Sequence, residues 1–308
     1  MTRDYEEYLK DDNLHINWYP GHMKKTKEMV QNNLKLVDVV IELLDARIPL
    51  SSKNPEIDKL AQNKPRVVVL NKSDLSDKAK LNKWISYYQS KGIKAIPVDT
   101  LKGNGVNKIV EECKNATKEK MDALKEKGRK ERAIRVMIVG VPNVGKSSLI
   151  NKLTGRKSTQ TGDRPGVTKG KQWVRLKGNL ELLDTPGILW PKFEDQKIAL
   201  NLAFTRAIKD EILDIDTLGL KFIEKMSEIE PEKLKARYKL DSLGEEPLET
   251  MEMIGRKRGF ILGRNELDYT RIAKTVLNEF REGKLGQITL EVPEDIEEIG
   301  RASCRERV

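Results

Sequence analysis

Four apolar runs in the first 140 residues constrain the fold more than any other feature of the sequence. They read "VDVVIELLDAR", "PRVVVLNKSD", "GIKAIPVDT" and "AIRVMIVG", and segments of helical character separate them. Nearly continuous apolar runs of this kind are typical of strands buried on both faces of a parallel sheet. We therefore predict an α/β fold with a doubly wound, mostly parallel sheet, which binds its ligands at the carboxyl ends of the strands.

The remainder of the chain departs from this alternation in two ways. Only a Gly-Asn turn separates "KQWVRLKGN" from "LELLDTPG", which predicts an antiparallel hairpin at the sheet edge. After "WPKFEDQ" the pattern becomes helical: in "RIAKTVLNEFREGK", Ile272, Val276 and Phe280 recur every four residues. Three basic residues of this helix are expected to point away from the apolar stripe: Arg271, Lys274 and Arg281. We predict a second, C-terminal domain that is all helical.

The charge balance favours a partner rich in phosphate. Lys and Arg number 58 and Asp and Glu number 48, a net charge of +10. Such a surplus is typical of proteins that bind nucleic acid, although a solvated basic surface is the alternative reading. One cluster stands out, "GRKRG", which contains Arg256, Lys257 and Arg258. We predict that these three side chains contact RNA phosphates.

Cysteine and histidine usage narrows the compartment and the chemistry. The two cysteines lack the spacing of a metal site or a disulfide framework, which fits a reducing cytoplasm. With two histidines in the sequence, the composition argues against a histidine-rich metal site. The first residues, "MTRDYEEYLKDD", are too charged for a signal peptide, and we expect a cytoplasmic protein without a membrane partner.

A phosphate-binding loop is predicted by "GVPNVGKSS", which begins at Gly140 and matches the spacing Gly-x-x-x-x-Gly-Lys-Ser. It lies after the strand "IRVMIV" and before the helix "SLINKL", as such a loop requires. Lys146 is expected to reach the β- and γ-phosphates and to assist catalysis, and the Ser147 hydroxyl to ligate Mg²⁺. The predicted loop contacts to the nucleotide are Asn143, Val144, Gly145, Lys146, Ser147 and Ser148.

The nucleotide base is expected to be guanine, read by "NKSD". Asp74 can accept hydrogen bonds from both N1 and N2 of guanine, and adenine lacks that pair of donors. Asn71 would approach the other edge of the base, the stem of Lys72 would cover the ring, and Ser73 completes the segment. Alone, this tetrapeptide could also be a polar turn that ends a strand. In "VDTLKGNG", the backbone at Asp99 and Thr100 is expected to contact guanine O6.

Two further segments complete the predicted site for Mg²⁺ and the γ-phosphate. In "DTPG", Asp184 would orient Mg²⁺ through water and the Gly187 amide would contact the γ-phosphate. Thr168, in "DRPGVTKG", would complete the magnesium shell and so belong to the catalytic group. GTP is the expected substrate, and Mg²⁺ the expected cofactor.

The order of these motifs is unusual, because "NKSD" precedes the phosphate loop. A nucleotide site needs its loops side by side in space rather than in a fixed sequence order, so a permuted chain can keep the same site. The order resembles that of the circularly permuted GTPases. Together with "NWYPGHM", "DARIPLSSKNP" and "DTPGILWPKFED", it resembles the bacterial ribosome biogenesis GTPase A family from Ile16 to about Leu290.

This resemblance implies a GTPase domain, a helical RNA-binding domain and a role in late assembly of the large ribosomal subunit. The implied partners are that subunit or its precursor and ribosomal RNA, and no DNA is expected. A GTP-dependent signalling or binding switch without an RNA partner is the alternative. The predicted segments are an N-terminal extension (1–22), the permuted GTPase domain (23–199), the helical domain (200–292) and a tail (293–308). Because the chain enters the helical domain soon after "DTPG", nucleotide state is expected to change how that domain binds.

Two residues acquire roles through the resemblance. Many GTPases place a glutamine after Asp-x-x-Gly to orient the attacking water, but here Ile188 and Leu189 follow. The resemblance points to His22 in "NWYPGHM" for this catalytic task, and packing or RNA contact is the alternative. At Asn143, related GTPases carry an asparagine that helps to hold K⁺ against the phosphates. The alternative is an asparagine that bonds only to its own backbone.

Overall fold

A computed structural model of the chain describes residues 23–61, 63–155, 173–183, 195–263 and 266–296. Two compact units make up the molecule. The sheet unit comprises Tyr19–Lys192 and Glu291–Val308, and the helical unit contains Phe193–Leu290. Within the described residues, the chain passes from the sheet unit into the helical unit and returns to the sheet unit at Glu291. The predicted domain limits at 199 and 292 lie a few residues away from these boundaries.

The sheet unit contains six strands in the spatial order β3-β2-β1-β4-β6-β5. Strands β1 to β4 and β6 run parallel, and β5 pairs antiparallel with β6. The prediction of a mostly parallel sheet with an edge hairpin is therefore confirmed. The strand bounds are β1 Val39–Asp45, β2 Arg66–Asn71, β3 Lys94–Val98, β4 Ile134–Val139, β5 Trp173–Leu176 and β6 Leu180–Leu183.

Helices precede β1 and lie between later strands of the sheet unit. They are α1 Met23–Leu34, α2 Pro55–Leu60, α3 Lys78–Ser90, α4 Val106–Glu126 and α5 Lys146–Thr154. The long charged segment before β4 ends its helix at Glu126, and Gly128 follows in the left-handed region with φ +70°. A helix end at this glycine has a local cause, because glycine adopts positive φ without steric cost.

The core of the sheet unit is centred on β1, in which every residue is buried. One apolar cluster combines Val40 with Val30 and Leu34 of α1. A second combines Leu44 with Trp84 and Tyr88 of α3. A strand with apolar residues at nearly every position can form such a core only with cover on both faces, as the sequence indicated.

The helical unit consists of α6 Gln196–Phe204, a 3₁₀ turn Asp210–Ile212, α7 Ile215–Ile229, α8 Pro231–Tyr238, α9 Pro247–Arg258 and α10 Tyr269–Arg281. Its core contains Phe222, whose ring centroid lies 5.1 Å from that of Phe204 and 4.8 Å from that of Phe280. Helices α7 and α10 approach closely at Gly219, where an added Cβ would lie 2.4 Å from the Ala273 Cβ. The predicted apolar stripe of α10 is buried and thus confirmed.

One basic residue of α10 does not follow the prediction. Arg271 and Lys274 are exposed as expected, but the side chain of Arg281 is only 11% exposed. Its guanidinium donates to both carboxylate oxygens of Asp210, at 2.7 and 2.8 Å, and to the carbonyl oxygens of Ala203 and Phe204. The prediction for Arg281 was wrong because periodicity shows only which residues are apolar, not which charges find a partner.

Among the described residues, no helix combines the length and the apolar character needed to cross a membrane.

Candidate nucleotide site

The carboxyl ends of the parallel strands bring the predicted motifs together. In the sheet register, Asp45 at the end of β1 pairs with Asn71 at the end of β2, and Asn71 pairs with Val98 at the end of β3. Strand β4 ends at Val139, directly before the phosphate loop. The "NKSD", "VDT" and phosphate-loop segments therefore leave the sheet at the same edge, where ligands of such sheets bind.

The phosphate loop depends on glycine at position 145. Gly145 precedes the first residue of α5 and has φ +101°, a conformation that side chains rarely adopt. A Cβ added there would lie 2.3 Å from the Asn71 amide nitrogen. Asn143 is also left-handed, with φ +57°. Turned backbone of this kind at a helix N-terminus presents amide hydrogens to an anion, and this geometry supports the predicted phosphate cradle.

Asn71 joins the base-reading segment to the phosphate loop. Its side-chain amide donates to the Val144 carbonyl oxygen at 2.6 Å and accepts from the Thr100 amide at 3.3 Å. The residue is fully buried. Since both ends of the amide bond to the protein, the observed contacts make Asn71 a link between three loops. The predicted approach to the base edge remains a prediction.

Lys72 makes a second link to the phosphate loop. It lies in the left-handed region, with φ +59°, and its ammonium donates to the Asn143 carbonyl oxygen at 2.9 Å. The same ammonium donates to the Asp45 carboxylate at 2.8 Å. Burial of the ammonium lowers the pKa of Lys72, and the nearby carboxylate of Asp45 only partly offsets that effect. Lys72 is thus fixed beside the loop by contacts within the protein.

Asp45 was not identified as a site residue from the sequence. It is buried, and its carboxylate accepts from Arg47 Nε at 2.9 Å and Arg47 Nη2 at 2.8 Å as well as from Lys72. Burial opposes ionisation, but the positive charges of Arg47 and Lys72 outweigh it and hold the pKa of Asp45 well below its ordinary range. One signal could have found it: Asp45 ends a buried strand, as Asn71 does.

The segment after β3 is held by its own backbone contacts. The Asp99 carboxylate accepts from the backbone amides of Leu101 and Lys102, both at 3.0 Å. The Ser73 amide donates to the Val98 carbonyl oxygen at 3.1 Å, which connects this segment to "NKSD". Asp99 and Thr100 are buried, and Asp74 is half-buried in the turn after Ser73. The backbone amide of Asp99 donates to the Asn104 carbonyl oxygen at 3.1 Å and that of Thr100 to the Asn71 side chain at 3.3 Å, so their contact with guanine O6 stays a prediction.

Ser147 is the described residue that fits a role in holding Mg²⁺. It lies half-buried in the first turn of α5 with Lys146 and Ser148. A hydroxyl oxygen suits Mg²⁺, which takes its other ligands from phosphates and water rather than from a dedicated protein cage. Over the described ranges, no three His, Cys, Asp or Glu side chains form a metal-binding group. The other predicted residues, His22, Thr168, Asp184 and Gly187, lie outside the described residues.

Comparison with known proteins gives consistent results. The family model described as "50S ribosome-binding GTPase" matches residues 135–248. Proteins named ribosome biogenesis GTPase A are 50% identical over 283 residues in Bacillus cereus, covering 92% of this chain and 96% of that protein. The protein of the same name in Thermotoga maritima is 31% identical over 290 residues, which cover 94% of this chain and 99% of that protein.

Solved structures agree with the sequence relatives. A GDP-bound YlqF structure matches with a TM-score of 0.61 and 27% identity, covering 86% of this chain and 99% of that one. A GNP-bound YlqF from T. maritima matches with a TM-score of 0.60 and 28% identity, covering 88% and 99%.

The mostly parallel sheet, the phosphate loop before α5 and the "NKSD" motif that precedes this loop in the sequence define a circularly permuted P-loop GTPase. This class explains how "NKSD" can lie before the phosphate loop in sequence and beside it in space. The chain belongs to the ribosome biogenesis GTPase A family, and it is a GTPase of ribosome biogenesis.

Proposed function

We propose that this GTPase acts in late assembly of the large ribosomal subunit and couples its nucleotide state to the binding of ribosomal RNA. The observation that carries the proposal is the interlocking of the guanine-reading and phosphate-binding segments. Asn71 bonds to Val144 and Lys72 bonds to Asn143, so the two halves of a guanine nucleotide site are held at a fixed spacing. Fixed spacing of this kind supports recognition of one nucleotide class.

Each described residue then has a defined task when GTP binds. Asp74 accepts from N1 and N2 of guanine, the loop amides around Gly145 donate to the phosphates, and Lys146 neutralises their charge. Ser147 would hold Mg²⁺, which would stabilise the negative charge of the phosphates when bound. Thr168, Asp184 and Gly187 complete the proposed magnesium and γ-phosphate contacts.

Hydrolysis also requires a group that positions the attacking water. Ile188 and Leu189 carry no hydrogen-bonding side chain, and we assign this task to His22. Replacement His22→Ala should leave GTP binding intact and lower ribosome-stimulated kcat about 100-fold. Unchanged stimulated turnover in a variant that still binds GTP and large subunits would remove His22 from the mechanism.

Names of the relatives and of the matching family support the ribosomal partner, and the net charge of +10 supports an RNA component. We place the protein in the cytoplasm with the ribosome. Asn143 is the proposed ligand of a K⁺ ion beside the phosphates. Equal turnover in K⁺ and Na⁺ buffers of the same ionic strength would exclude that ion.

The guanine assignment is tested by Asp74→Asn. The change replaces one acceptor by a donor that faces the donors of guanine, so GTP binding should weaken by about 2–4 kcal/mol. Xanthine carries a carbonyl where guanine carries an amino group, and binding of xanthosine triphosphate should improve in the same variant. GTP affinity within about twofold of the parent value would exclude Asp74 as the base reader.

The ribosomal partner is tested by sedimentation. The protein should travel with large subunits in the presence of a non-hydrolysable GTP analogue, and Asp74→Asn should do so only with the matching xanthine analogue. If neither protein travels with ribosomal particles under any nucleotide, the alternative of a switch without an RNA partner is favoured.

A further inference from the structure

The segment that follows the helical unit packs onto the sheet unit. The Glu291 backbone carbonyl oxygen accepts from Trp84 Nε1 at 3.1 Å, and Trp84 is fully buried on α3. Farther along, Ile296 packs against the apolar cluster that contains Leu44 and Trp84. Residues Glu291–Ile296 therefore form a defined C-terminal segment of the sheet unit.

The Glu291 side chain binds a loop that begins at the end of β1. Its carboxylate accepts from the Leu50 amide at 2.8 Å, from the Ser51 amide at 3.1 Å to each oxygen, and from the Ser51 hydroxyl. Glu291 is 4% exposed and Ser51 is fully buried. A buried carboxylate that receives backbone amides is a strong, directional anchor, because each bond is charge-assisted.

That loop, residues 45–52, leads from Glu291 to the nucleotide site. The Ser52 hydroxyl donates to the Ile48 carbonyl oxygen at 2.7 Å and accepts from the Asp45 amide at 3.0 Å. The Asp45 carboxylate then receives the ammonium of Lys72, which also bonds to the phosphate loop at Asn143. Hydrogen bonds, together with the backbone of loop 45–52, thus connect Glu291 with the phosphate loop.

We propose that Glu291 is a positioning residue for the guanine nucleotide site: it fixes loop 45–52 so that Asp45 holds Lys72 in place for the nucleotide. The proposal rests on the proposed base-reading role of "NKSD". It also assigns a role to the segment that follows the C-terminal end of the helical unit. The first end follows the "DTPG" segment, which contacts the γ-phosphate in the proposed mechanism, and the second end continues directly into Glu291, the anchor of the guanine side.

The test is Glu291→Gln in the full-length chain. The new amide group would face the backbone donors of Leu50 and Ser51, which should loosen the loop. The matched control is Glu294→Gln, because Glu294 lies on the same segment but pairs with exposed Lys83 at 3.1 Å.

We expect Glu291→Gln to raise the KM for GTP and the Kd for GDP about 2- to 30-fold, the range found for residues that act through a contact network. The value of kcat should stay unchanged, since Lys72 contributes to binding in the ground state and the transition state alike. Glu294→Gln should change none of these quantities.

A merely structural role would have a different signature. It would lower the melting temperature and the active fraction of the enzyme, but the surviving fraction would keep the parent KM. If Glu291→Gln does not fold, Ser51→Ala decides, because it removes one hydrogen bond to Glu291 and should raise KM by a smaller factor.

Asp74→Asn serves as the reference for both proposals. Parent KM in Glu291→Gln and in Ser51→Ala, with a raised KM in Asp74→Asn, would overturn the role of Glu291 and leave the base reader intact. Parent KM in Asp74→Asn as well would remove the base reader itself, and the positioning role would be lost with it.

Discussion

Asp45 in the sheet unit and Glu279 in the helical unit are both buried carboxylates held between two cationic side chains. Asp45 accepts from Arg47 and Lys72. Glu279 accepts from Arg237 at 2.6 and 2.9 Å, from Arg258 at 3.3 Å and from the Tyr238 hydroxyl. The two clusters are alike in composition, but they lie in different kinds of structure.

The difference lies in what the cations reach. The Lys72 ammonium donates both to Asp45 and to the phosphate loop at Asn143, so the Asp45 cluster forms part of the candidate nucleotide site. Arg237 and Arg258 come from α8 and α9, so the Glu279 cluster ties these helices to α10 within the helical unit. Arg258 also lies over the Tyr238 ring at 5.2 Å. A basic residue in a cluster such as "GRKRG" can therefore serve the fold rather than RNA.

Glu42 provides a third buried carboxylate, without such partners. It lies on β1, and within the described part of the chain neither of its oxygens has a hydrogen-bond partner. Burial raises the pKa of Glu42 to about 7, and Arg66, at 3.7 Å, and Lys53 offset only part of that effect. The carboxylates of Glu279 and Glu42 thus predict opposite responses to the same change, carboxylate to amide.

The largest expected effect is on the stability of the helical unit. Glu279→Gln should lower the free energy of unfolding of this unit by about 2–3 kcal/mol, because it leaves Arg237 and Arg258 without their shared anion. Partial exposure of both arginines limits the loss. Chemical denaturation followed by circular dichroism measures this, and the KM for GTP should not change.

The contribution of Glu279 to stability is expected to depend on pH. Burial alone would raise the pKa of Glu279, but Arg237 and Tyr238 bond to the ionised form and lower it. Its stabilising contribution is therefore present above the unfolded pKa and is lost as the pH falls through the folded value. Glu282→Gln, at an exposed residue paired with Lys284, is the control. An unfolding free energy equal to that of the parent would contradict a structural role for this cluster.

The next prediction, for Glu42→Gln, is a gain in stability rather than a loss. Glu42 has a raised pKa, so the stability that its protonated form provides is full below the unfolded pKa of 4.5 and is lost as the pH rises through about 7. Glu42→Gln should therefore be more stable than the parent by about 2–3 kcal/mol near pH 8 and nearly equal to it near pH 4.

Urea denaturation across this pH range measures the difference for Glu42→Gln. Glu119→Gln, at an exposed position of α4, should show no such trend. A gap between Glu42→Gln and the parent that does not depend on pH would show that Glu42 is ionised to the same extent in the folded and unfolded chain.

The smallest expected effect is on RNA binding, and it distinguishes Arg256 and Lys257 from Arg258 in the basic cluster. Reversing Arg256 and Lys257 to Glu should weaken RNA binding across sequences and reduce the slope of log affinity against log salt by about one per residue. Both residues are exposed, and Arg256 forms an ion pair with Glu252 at 3.7 Å. Filter binding with ribosomal RNA at several salt concentrations measures this slope.

Arg258→Glu is the informative comparison for this cluster, because it should lower stability as well as charge. Affinity for ribosomal particles equal to that of the parent, after reversal of Arg256 and Lys257, would leave these residues as solvated surface.

The sequence by itself determined the elements and the order of the motifs. Apolar runs predicted β1 to β4, the Gly-Asn turn predicted the hairpin, and four-residue spacing predicted the buried face of α10. The spacing of "GVPNVGKSS" placed Gly145 directly before a helix, where the structure has it. These features depend on residues close in sequence, and periodicity and turn chemistry report local structure directly.

Only the tertiary structure decided which charges share a site. Lys72 meets Asp45 across 27 residues, and Glu291 meets Leu50 across 241. Periodicity could not reveal that Arg281 is nearly buried with Asp210, or that Arg258 belongs to the Glu279 cluster. A buried charge is stable only with a partner, and that partner is selected by how distant segments pack together rather than by the residues that surround the charge in the sequence.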